Sequence, residues 1–456
     1  MGRIPRRDFL LTAGIAGTGA FVFRGFARQA ALFGDVGISR SSGALDYGPL
    51  FPTKTNNTGE TLLALPKGFQ YTVLGKTGAL MSDGRTTPRA HDGMAAFQVK
   101  KQLRLVRNHE VNYPVGKQGI AIGPNPYDPL AGGGTTTLVI DPVTREVVKD
   151  FVSLSGTLIN CAGGRTPWNS WISCEETLLG PERFKNASGQ DQGGFEKHHG
   201  YCFEVPAAAD SPVTPKPLKA MGRFQHEAVA VDPKSGIVYL TEDRPAAGFY
   251  RFIPKRTGKL EAGGRLQMLA VKSRPNLDTR TQQTAGVHLS ATWVDIANPD
   301  PAEAERDDLA VYKQGIAAGG TTFARLEGCL YGNGRIYFDS TSGGDKKLGQ
   351  VWEYVPSASG DGVLTLLFEP GEPSLLNMPD NLCLNRTGNV VICEDNGVSI
   401  HLRVMNQAGQ LGTLAQNIVE GFENREFAGV TFSPDFKTLF VNIQIPGLTF
   451  AIWGPW

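Results

Sequence analysis

A repeated strand that ends in polar or acidic residues constrains the fold of this chain more than any other feature of its sequence. The strand is rich in β-branched and aromatic residues, and turns of Gly, Pro, Asp or Asn precede most of its copies, which is the chemistry of β-hairpins. The copies are residues 103–110, 171–176, 238–244, 336–341, 390–395 and 439–444. A repeat of this kind predicts an array of similar units.

A second recurring segment lies upstream of each hairpin and predicts the first strand of each unit. Its copies begin at Asp92, Cys161, Glu227, Glu327, Asn381 and Ala428. Six hairpins spaced by roughly 50 to 100 residues are typical of a β-propeller with blades around a central channel. A β-sandwich with long insertions is the alternative, but it gives no reason for the repeat. We predict an all-β, six-bladed β-propeller over residues 90–456, preceded by an N-terminal extension and the start of the propeller at residues 31–89.

The first thirty residues have the pattern of a targeting segment. Arg6 and Arg7 follow a basic start and lead into a weakly apolar run, residues 12–23, which is too short and too rich in glycine to span a bilayer. This pattern is typical of a twin-arginine signal, whose substrates cross the membrane already folded, often with a cofactor in place. The prediction is a signal at residues 1–30, the twin-arginine export machinery as a partner, no stable membrane span after processing, and a periplasmic or secreted protein.

The overall charge excludes one class of partner. The chain has 45 Lys and Arg against 44 Asp and Glu, so no bulk field attracts nucleic acid or an anionic membrane.

The six cysteines form no Cys-x-x-Cys pair, which argues against a zinc knuckle. We expect a monomer whose function depends on a local cluster of side chains.

The predicted architecture brings two sets of polar residues together. In an antiparallel hairpin the start of the first strand and the end of the second lie at the same edge, so both positions of every blade converge at one mouth of the channel. The second strands end in Asn108, Glu175, Glu242, Ser340 and Glu394, each followed by another polar residue. Converging carboxylates repel one another unless they are neutralised, which favours bound cations over a solvated acidic funnel.

The ligand types indicate a mixed cluster. Many carboxylates suit Ca²⁺, whereas a lone thiolate among them suits a transition metal such as iron. Cys161 holds the repeat position of Glu227 and Glu327, which favours a ligand role over simple packing. His109 and His226 are expected to support the ligands or to be structural rather than to bind metal, because strand alternation turns neighbours to opposite faces.

Two arginines are candidates for holding an anion. Arg325 lies two residues before Glu327, so both point to the same face of their strand. Its planar guanidinium matches phosphate, although a structural ion pair with the carboxylate is the alternative. Arg244 is a second, weaker candidate.

The sequence resembles the PhoX-type alkaline phosphatases, a family of exported propeller enzymes. The resemblance runs from about residue 90 to the C-terminus and includes His91-Asp92-Gly93-Met94, Arg107-Asn108-His109-Glu110, Asn160-Cys161-Ala162-Gly163-Gly164, Ser173-Cys174-Glu175-Glu176, Thr241-Glu242-Asp243-Arg244, Ala324-Arg325-Leu326-Glu327 and Pro379-Asp380-Asn381-Leu382. It implies a six-bladed propeller, a cluster of Ca²⁺ and Fe³⁺, and monoester phosphatase activity. By position it implies that Cys161 binds iron, Glu227 and Glu327 bind metal, and Arg325 binds phosphate.

Repeat and resemblance together give the expected site. The candidate metal ligands are Cys161, Glu175, Glu176, Glu227, Glu242, Asp243, Glu327, Asp380 and Glu394, with Arg325 as the catalytic and substrate-binding residue and Arg244 as a further substrate contact. The expected reaction is hydrolysis of a small phosphate monoester outside the cytoplasm, by attack of a metal-bound oxo or hydroxide group. The alternatives are a calcium-dependent lactonase-like propeller enzyme and a non-catalytic binding propeller stabilised by metals.

Overall fold

The structure, a computed structural model, describes residues 45, 47–112, 123, 125–186, 188–395 and 397–456. The predicted signal segment at residues 1–30 lies outside them. The strands in chain order are β1 (Leu50–Lys54), β2 (Thr61–Pro66), β3 (Gln70–Lys76), β4 (His91–Val99), β5 (Gln102–His109), β6 (Gly133–Ile140), β7 (Val147–Thr157), β8 (Asn160–Arg165), β9 (Ser170–Glu175), β10 (Arg183–Lys185), β11 (Asp191–Gly193), β12 (Cys202–Pro206), β13 (His226–Val231), β14 (Val238–Glu242), β15 (Tyr250–Pro254), β16 (Gly264–Val271), β17 (His288–Asp295), β18 (Leu326–Gly332), β19 (Arg335–Ser340), β20 (Gln350–Pro356), β21 (Gly362–Phe368), β22 (Pro379–Leu384), β23 (Val390–Glu394), β24 (His401–Met405), β25 (Leu411–Asn417), β26 (Phe427–Phe432), β27 (Leu439–Ile443) and β28 (Leu448–Trp453).

Helices are short and lie in the connections between strands. An α-helix, α1 (Ala310–Ala317), precedes β18, and 3₁₀ turns cover Lys219–Met221, Leu260–Ala262 and Ala302–Glu305. Among the described residues, no helix is long and apolar enough to cross a bilayer.

The first strands that the repeat predicted form a closed ring. Strands β4, β8, β13, β18, β22 and β26 each contact the next in this order, and β26 contacts β4. From each of them antiparallel strands run outward: β4–β7 (blade 1), β8, β9 and β12 (blade 2), β13–β16 (blade 3), β18–β21 (blade 4), β22–β25 (blade 5), and β26–β28 with β3 (blade 6). The prediction of an all-β propeller is confirmed.

The ring is closed by strands from distant parts of the chain. Strand β3 pairs with β28, so one blade combines an early strand with the last ones. Strands β1 and β2 extend blade 5 through the pairing of β2 with β25. Strand β17 pairs with both β16 and β21 and joins blades 3 and 4 into one sheet. Such closure leaves few free sheet edges.

Apolar side chains pack between the blades. Phe249 of blade 3 stacks on Phe338 of blade 4 with ring centroids 4.1 Å apart, and both rings are fully buried. Burying a side chain of this size contributes roughly 1.5–3 kcal/mol. Contacts of this kind hold the first strands, and therefore the channel, in a fixed arrangement.

Each first strand contains a bulge close to one mouth of the channel. In blade 1 the pair His91–His109 is followed by Met94–Arg107, which leaves one extra residue in β4. The register shifts in the same way after Asn160, His226, Leu326, Pro379 and Ala428. A bulge re-aims the side chains next to it.

In blade 5 the bulge places Asp380, and not Asn381, at the ring position. Pro379 pairs with Glu394 just before the bulge, and the next residue is Asp380. Asp380 therefore holds the position that Asp92, Cys161, Glu227 and Glu327 hold in the other blades. The sequence repeat had given this position to Asn381. The side-chain amide of Asn381 instead donates to Asp380 Oδ1 at 2.7 Å, and its oxygen accepts the Gly429 N–H.

Candidate metal centre

Acidic side chains and one thiol meet at the bulged mouth of the channel; we call them the mouth group. Its members are Asp92, Glu110, Cys161, Glu176, Glu227, Asp243, Glu327, Asp380, Asp395 and Glu426. Two trios within it have ligand atoms that all lie within 4.8 Å of one another. The thiol trio is Cys161, Glu176 and Glu227, and the carboxylate trio is Asp92, Glu110 and Glu426.

The backbone explains why these side chains converge. The bulges supply Asp92, Cys161, Glu227, Glu327 and Asp380, and the residues after the second strands supply Glu110, Glu176, Asp243 and Asp395. A hydrogen bond closes the mouth end of each blade: the residue after the second strand donates its N–H to the carbonyl of the residue before the first. Examples are Glu110 to Ala90 at 3.0 Å and Glu176 to Ile159 at 2.9 Å.

The mouth group is strained electrostatically without cations. Burial and the charge of Glu176 raise the pKa of Glu227 well above its usual range, and burial with the charge of Asp243 does the same for Glu327. Burial raises the pKa of Glu110 to about 7. Clustered carboxylates cannot all ionise unless positive charge compensates them. The donor set therefore fits bound metal ions.

Cys161 lies beside its two glutamates as a buried thiol. Its Sγ is 3.2 Å from the carbonyl oxygen of His226. Burial and the charges of Glu227 and Glu176 raise the pKa of Cys161 well above its usual range. A thiolate at this place requires a cation, and a metal that binds it supplies one.

Arg325 is the cation in direct contact with this group among the described residues. Its Nε lies 3.0 Å from Asp243 Oδ1, its Nη1 lies 3.4 Å from Asp395 Oδ2, and its Nη2 contacts Glu327. Burial by itself would lower the pKa of Arg325, but the charges of Glu327 and Asp243 outweigh burial and raise it. The side chain is 31% exposed, so the guanidinium contacts both the carboxylates and solvent.

Arg244 is held away from this group. Its guanidinium pairs with Asp308, in the connection before α1, and its main-chain oxygen accepts the Arg325 N–H at 2.8 Å. Only Nη2 forms this pair, and Nε has no hydrogen-bond partner among the described residues, so the role of Arg244 as a substrate contact stays a prediction.

The structure does not bring Glu175, Glu242 and Glu394 into the mouth group. Each lies one residue before a member of it, and strand alternation turns it toward its own blade. Their carboxylates accept hydrogen bonds from His199 Nδ1 at 2.7 Å and Gly200 N at 2.8 Å (Glu175), Gly248 N and Tyr250 OH, both at 2.8 Å (Glu242), and His401 N and Arg403 Nε, both at 2.9 Å (Glu394). These bonds explain the three residues as parts of their blades.

Sequence reasoning left four members of the mouth group out of the ligand set. Asp92 was recognised in the ring, and Asp395 holds the repeat position of Glu176 and Asp243, so the repeat contained their signal. In blade 1 the repeat ended the second strand at Asn108, whereas β5 ends at His109, and this shift of one residue places Glu110 in that same position. Glu426 carried no such signal, because it precedes β26 in the position that Arg325 holds before β18.

The rings of His226 and His109 form hydrogen bonds with nearby protein groups, which favours a structural role. His226 Nε2 donates to the Gly222 carbonyl at 2.9 Å. His109 Nδ1 lies 2.9 Å from the Arg89 carbonyl oxygen, and His109 Nε2 lies 2.8 Å from Thr136 Oγ1. Burial lowers the pKa of both rings, which keeps them neutral.

A closed propeller ring with buried carboxylates and a thiol at one channel mouth defines a metal-dependent propeller protein. The profile of the alkaline phosphatase PhoX family matches residues 45–447, and the chain belongs to that family. It is accordingly a metal-dependent phosphatase, a phosphoric monoester hydrolase. The lactonase-like and non-catalytic alternatives are not favoured.

Comparison with solved structures supports the fold. PhoX from Pseudomonas fluorescens, in complex with the transition-state analogue vanadate, matches with a TM-score of 0.69 at 19% identity, covering 90% of this chain and 98% of that chain. A gluconolactonase from Xanthomonas campestris has a TM-score of 0.40 at 13% identity (90% and 98% covered), and virginiamycin B lyase from Staphylococcus aureus 0.38 at 9% (84% and 99% covered). No curated protein matched the chain.

Proposed function

We propose that the phosphatase reaction takes place at the mouth group, with iron as Fe³⁺ at the thiol trio and Ca²⁺ at the other carboxylates. The observation that carries this proposal is the close approach of Cys161, Glu176 and Glu227 within 4.8 Å. A thiolate favours a transition metal, whereas the oxygen-only trio of Asp92, Glu110 and Glu426 suits calcium.

The chain's own residues would divide the work. When bound, such metals supply Lewis acidity toward phosphate oxygens and activate water as the nucleophile. The mouth carboxylates and Cys161 would hold the ions, and the positive charge of the ions would neutralise the negative charge of these ligands. Asp92, Cys161, Glu227, Glu327 and Asp380 are buried, and this reduced contact with water strengthens the electrostatic interactions at the mouth.

Arg325 is the proposed phosphate-binding residue. Its guanidinium is tethered by Asp243 and Asp395 on two neighbouring blades, so little rotational freedom is lost when it binds an anion. Its planar fork can donate two hydrogen bonds to an equatorial phosphate oxygen pair, and its fixed charge stabilises the charge that develops during transfer.

The N-terminal sequence supports export of the folded enzyme. Arg6, Arg7 and the following apolar run indicate the twin-arginine route and a periplasmic or secreted protein. Cytoplasmic folding before export would allow the metals to be inserted first. We further propose a monomer, with the signal at residues 1–30 and the N-terminal extension and start of the propeller at residues 31–89.

Hydrolysis of p-nitrophenyl phosphate by the purified, metal-analysed protein tests the proposal. We expect iron and calcium in the protein, activity that a chelator removes and that the two metals restore together, and inhibition by inorganic phosphate. A gluconolactone substrate should not be hydrolysed. Lactone hydrolysis without phosphatase activity would instead favour the lactonase alternative, and calcium without iron would remove iron from the proposal.

A further inference from the structure

Three buried side chains tie neighbouring blades together next to the mouth group. Asn108 of β5, Thr241 of β14 and Asn442 of β27 each lie one residue before the end of the second strand of their blade. All three are fully buried. This shared position points each side chain at the bulge of the next blade.

Each of these side chains donates a hydrogen bond to the main-chain oxygen of a mouth-group residue in the next blade, and we call these hydrogen bonds the ties. Asn108 Nδ2 donates to the Cys161 carbonyl at 3.0 Å and to the Ala162 carbonyl at 2.7 Å. Thr241 Oγ1 donates to the Glu327 carbonyl at 2.7 Å. Asn442 Nδ2 donates to the Asp92 carbonyl at 2.6 Å.

These carbonyls depend on the ties because of the bulges. At a bulge the regular ladder is interrupted, so its carbonyl groups need other partners. A buried carbonyl without a donor costs about 1–3 kcal/mol. Fixing the carbonyl also fixes the peptide plane, and this sets the direction in which the attached side chain leaves the backbone.

The ties are not a general feature of the position. In blade 4 the same position holds Asp339, whose Oδ1 accepts the Gly328 N–H at 2.9 Å within its own blade, while its Oδ2 has no hydrogen-bond partner among the described residues. Blades 2 and 5 carry Cys174 and Cys393 there, which are poor donors. The strong donors therefore reach Cys161, Glu327 and Asp92.

We propose that Asn108, Thr241 and Asn442 are positioning residues of the metal centre, each orienting a ligand that belongs to the next blade. The proposal rests on the proposed metal site. Substitution of residues that orient metal ligands typically weakens metal affinity about 10–100-fold. The expected effect of losing one tie is a loss of that size with the fold retained.

Calcium titration of the full-length, chelator-stripped protein by calorimetry tests the inference with Thr241→Val. This change keeps the shape of the side chain and removes the hydroxyl, which donates to the Glu327 carbonyl and also accepts the Ala228 N–H of its own blade at 2.9 Å. We expect the Kd for calcium to rise about 10–100-fold. Thr241→Ser, which keeps the hydroxyl, should bind calcium within about threefold of the unaltered protein.

Thr279→Val is the matched control. Thr279 is also fully buried, and its Oγ1 donates to the Thr322 carbonyl at 2.7 Å, away from the first strands. We expect a similar loss of Tm in both valine variants but an unchanged calcium Kd for Thr279→Val. An equal loss of calcium affinity in the control would mean general destabilisation and would overturn the inference.

Asn442→Leu is a second, independent variant, which decides the question if Thr241→Val does not fold. It removes the donor to Asp92 and should weaken calcium binding while leaving the iron content and the iron–thiolate absorption unchanged. Wild-type calcium affinity in the folded variant would refute the positioning role. Failure of the unaltered protein to bind calcium would refute the proposed function instead, so the two failures are distinguishable.

Discussion

Adjacent glutamates at the mouth have opposite environments. Glu175 is fully buried and accepts hydrogen bonds from His199 Nδ1 and the Gly200 N–H of its own blade. Glu176, one residue later, faces the mouth group, where burial and the charge of Asp243 raise its pKa well above the usual range. Glu175 thus stabilises its own blade through hydrogen bonds, whereas Glu176 is a candidate metal ligand.

Only a cysteine at the channel mouth should be required for iron binding. We expect Cys161→Ser to lose iron and phosphatase activity, because a serine hydroxyl is a poor ligand for iron beside Glu176 and Glu227. Cys393→Ser, at an equally buried cysteine of blade 5, should retain both. Elemental analysis and the visible absorption of each protein measure the difference, and equal losses of iron would contradict the assignment of the thiol trio.

Arg325 should be separable from metal binding. We expect Arg325→Ala to lower kcat/KM by roughly two orders of magnitude, about 3 kcal/mol, because charge-assisted hydrogen bonds to the transferring phosphate are lost. Its iron and calcium content should stay close to that of the unaltered protein. Arg280→Ala, at an exposed arginine paired with Asp278, is the control and should leave kcat/KM unchanged.

Metal analysis separates the two roles of Arg325. Its contacts with Asp243, Asp395 and Glu327 are equally those of a structural ion pair. Loss of metals or of the fold in Arg325→Ala, at a Tm far below that of Arg280→Ala, would favour the structural role.

At the scale of elements, the bulged first strand is the unit that builds the site. Residues before several of these strands adopt the left-handed conformation, with φ of 50° at Ala90, 47° at Ile159, 46° at Arg325 and 52° at Met378. This conformation is unfavourable for residues with a side chain, above all for a β-branched one. Its recurrence at the mouth indicates that packing of the blades maintains a strained turn in order to direct side chains into the channel.

Glycine in the bulge of blade 4 should be required for close approach of the blades. A Cβ at Gly328 would lie 2.3 Å from the Asp380 carbonyl oxygen, on the neighbouring blade. We expect Gly328→Ala to lower the free energy of unfolding by about 1–3 kcal/mol and to weaken metal binding, because Glu327 and Asp380 must move apart. Gly371→Ala, where a Cβ meets nothing within 4 Å, should change stability by less than about 0.5 kcal/mol. Denaturant unfolding of both variants measures this.

At the scale of the whole molecule, closure of the ring is what forces the charges together. Strand β3 completes the blade of β26–β28, so the first strands cannot splay to relieve repulsion at the mouth. The rest of the channel is a cavity of about 600 Å³ lined mainly by small and apolar residues such as Ala162, Val229 and Leu382. The repulsion is therefore confined to one end of the molecule, where bound cations can relieve it.

Stability should depend on pH with opposite signs in the two metal states. Without metals, burial raises the pKa of Glu110 from 4.5 to about 7, so the folded protein binds more protons than the unfolded chain within that window. Stability must then fall as pH rises, and we expect the Tm to drop by about 5 °C or more between pH 4.5 and 7. With calcium and iron bound, the carboxylates are held ionised and acidification should lower the Tm instead. Calorimetric scans with and without a chelator measure both slopes, and equal slopes would contradict metal binding at the mouth.

The sequence by itself determined the propeller and the end of the channel at which the site lies. Alternating strands with hairpin turns recur along the chain, and the start of a first strand must lie beside the end of its second strand. Cys161, Glu227 and Glu327 could be predicted at the mouth for this reason alone.

Only the tertiary structure decided which of two adjacent residues faces the channel. On the first strands, one extra residue at the bulge changes the face, so Asp380 takes the place that the repeat gave to Asn381. On the second strand of blade 2, Glu176 faces the mouth and Glu175 does not, because neighbouring residues alternate between the two faces. Glu426 reaches the carboxylate trio because blade 6 closes against blade 1, whose first strand supplies Asp92. Contacts of this kind join residues far apart in the chain, and local sequence patterns do not encode them.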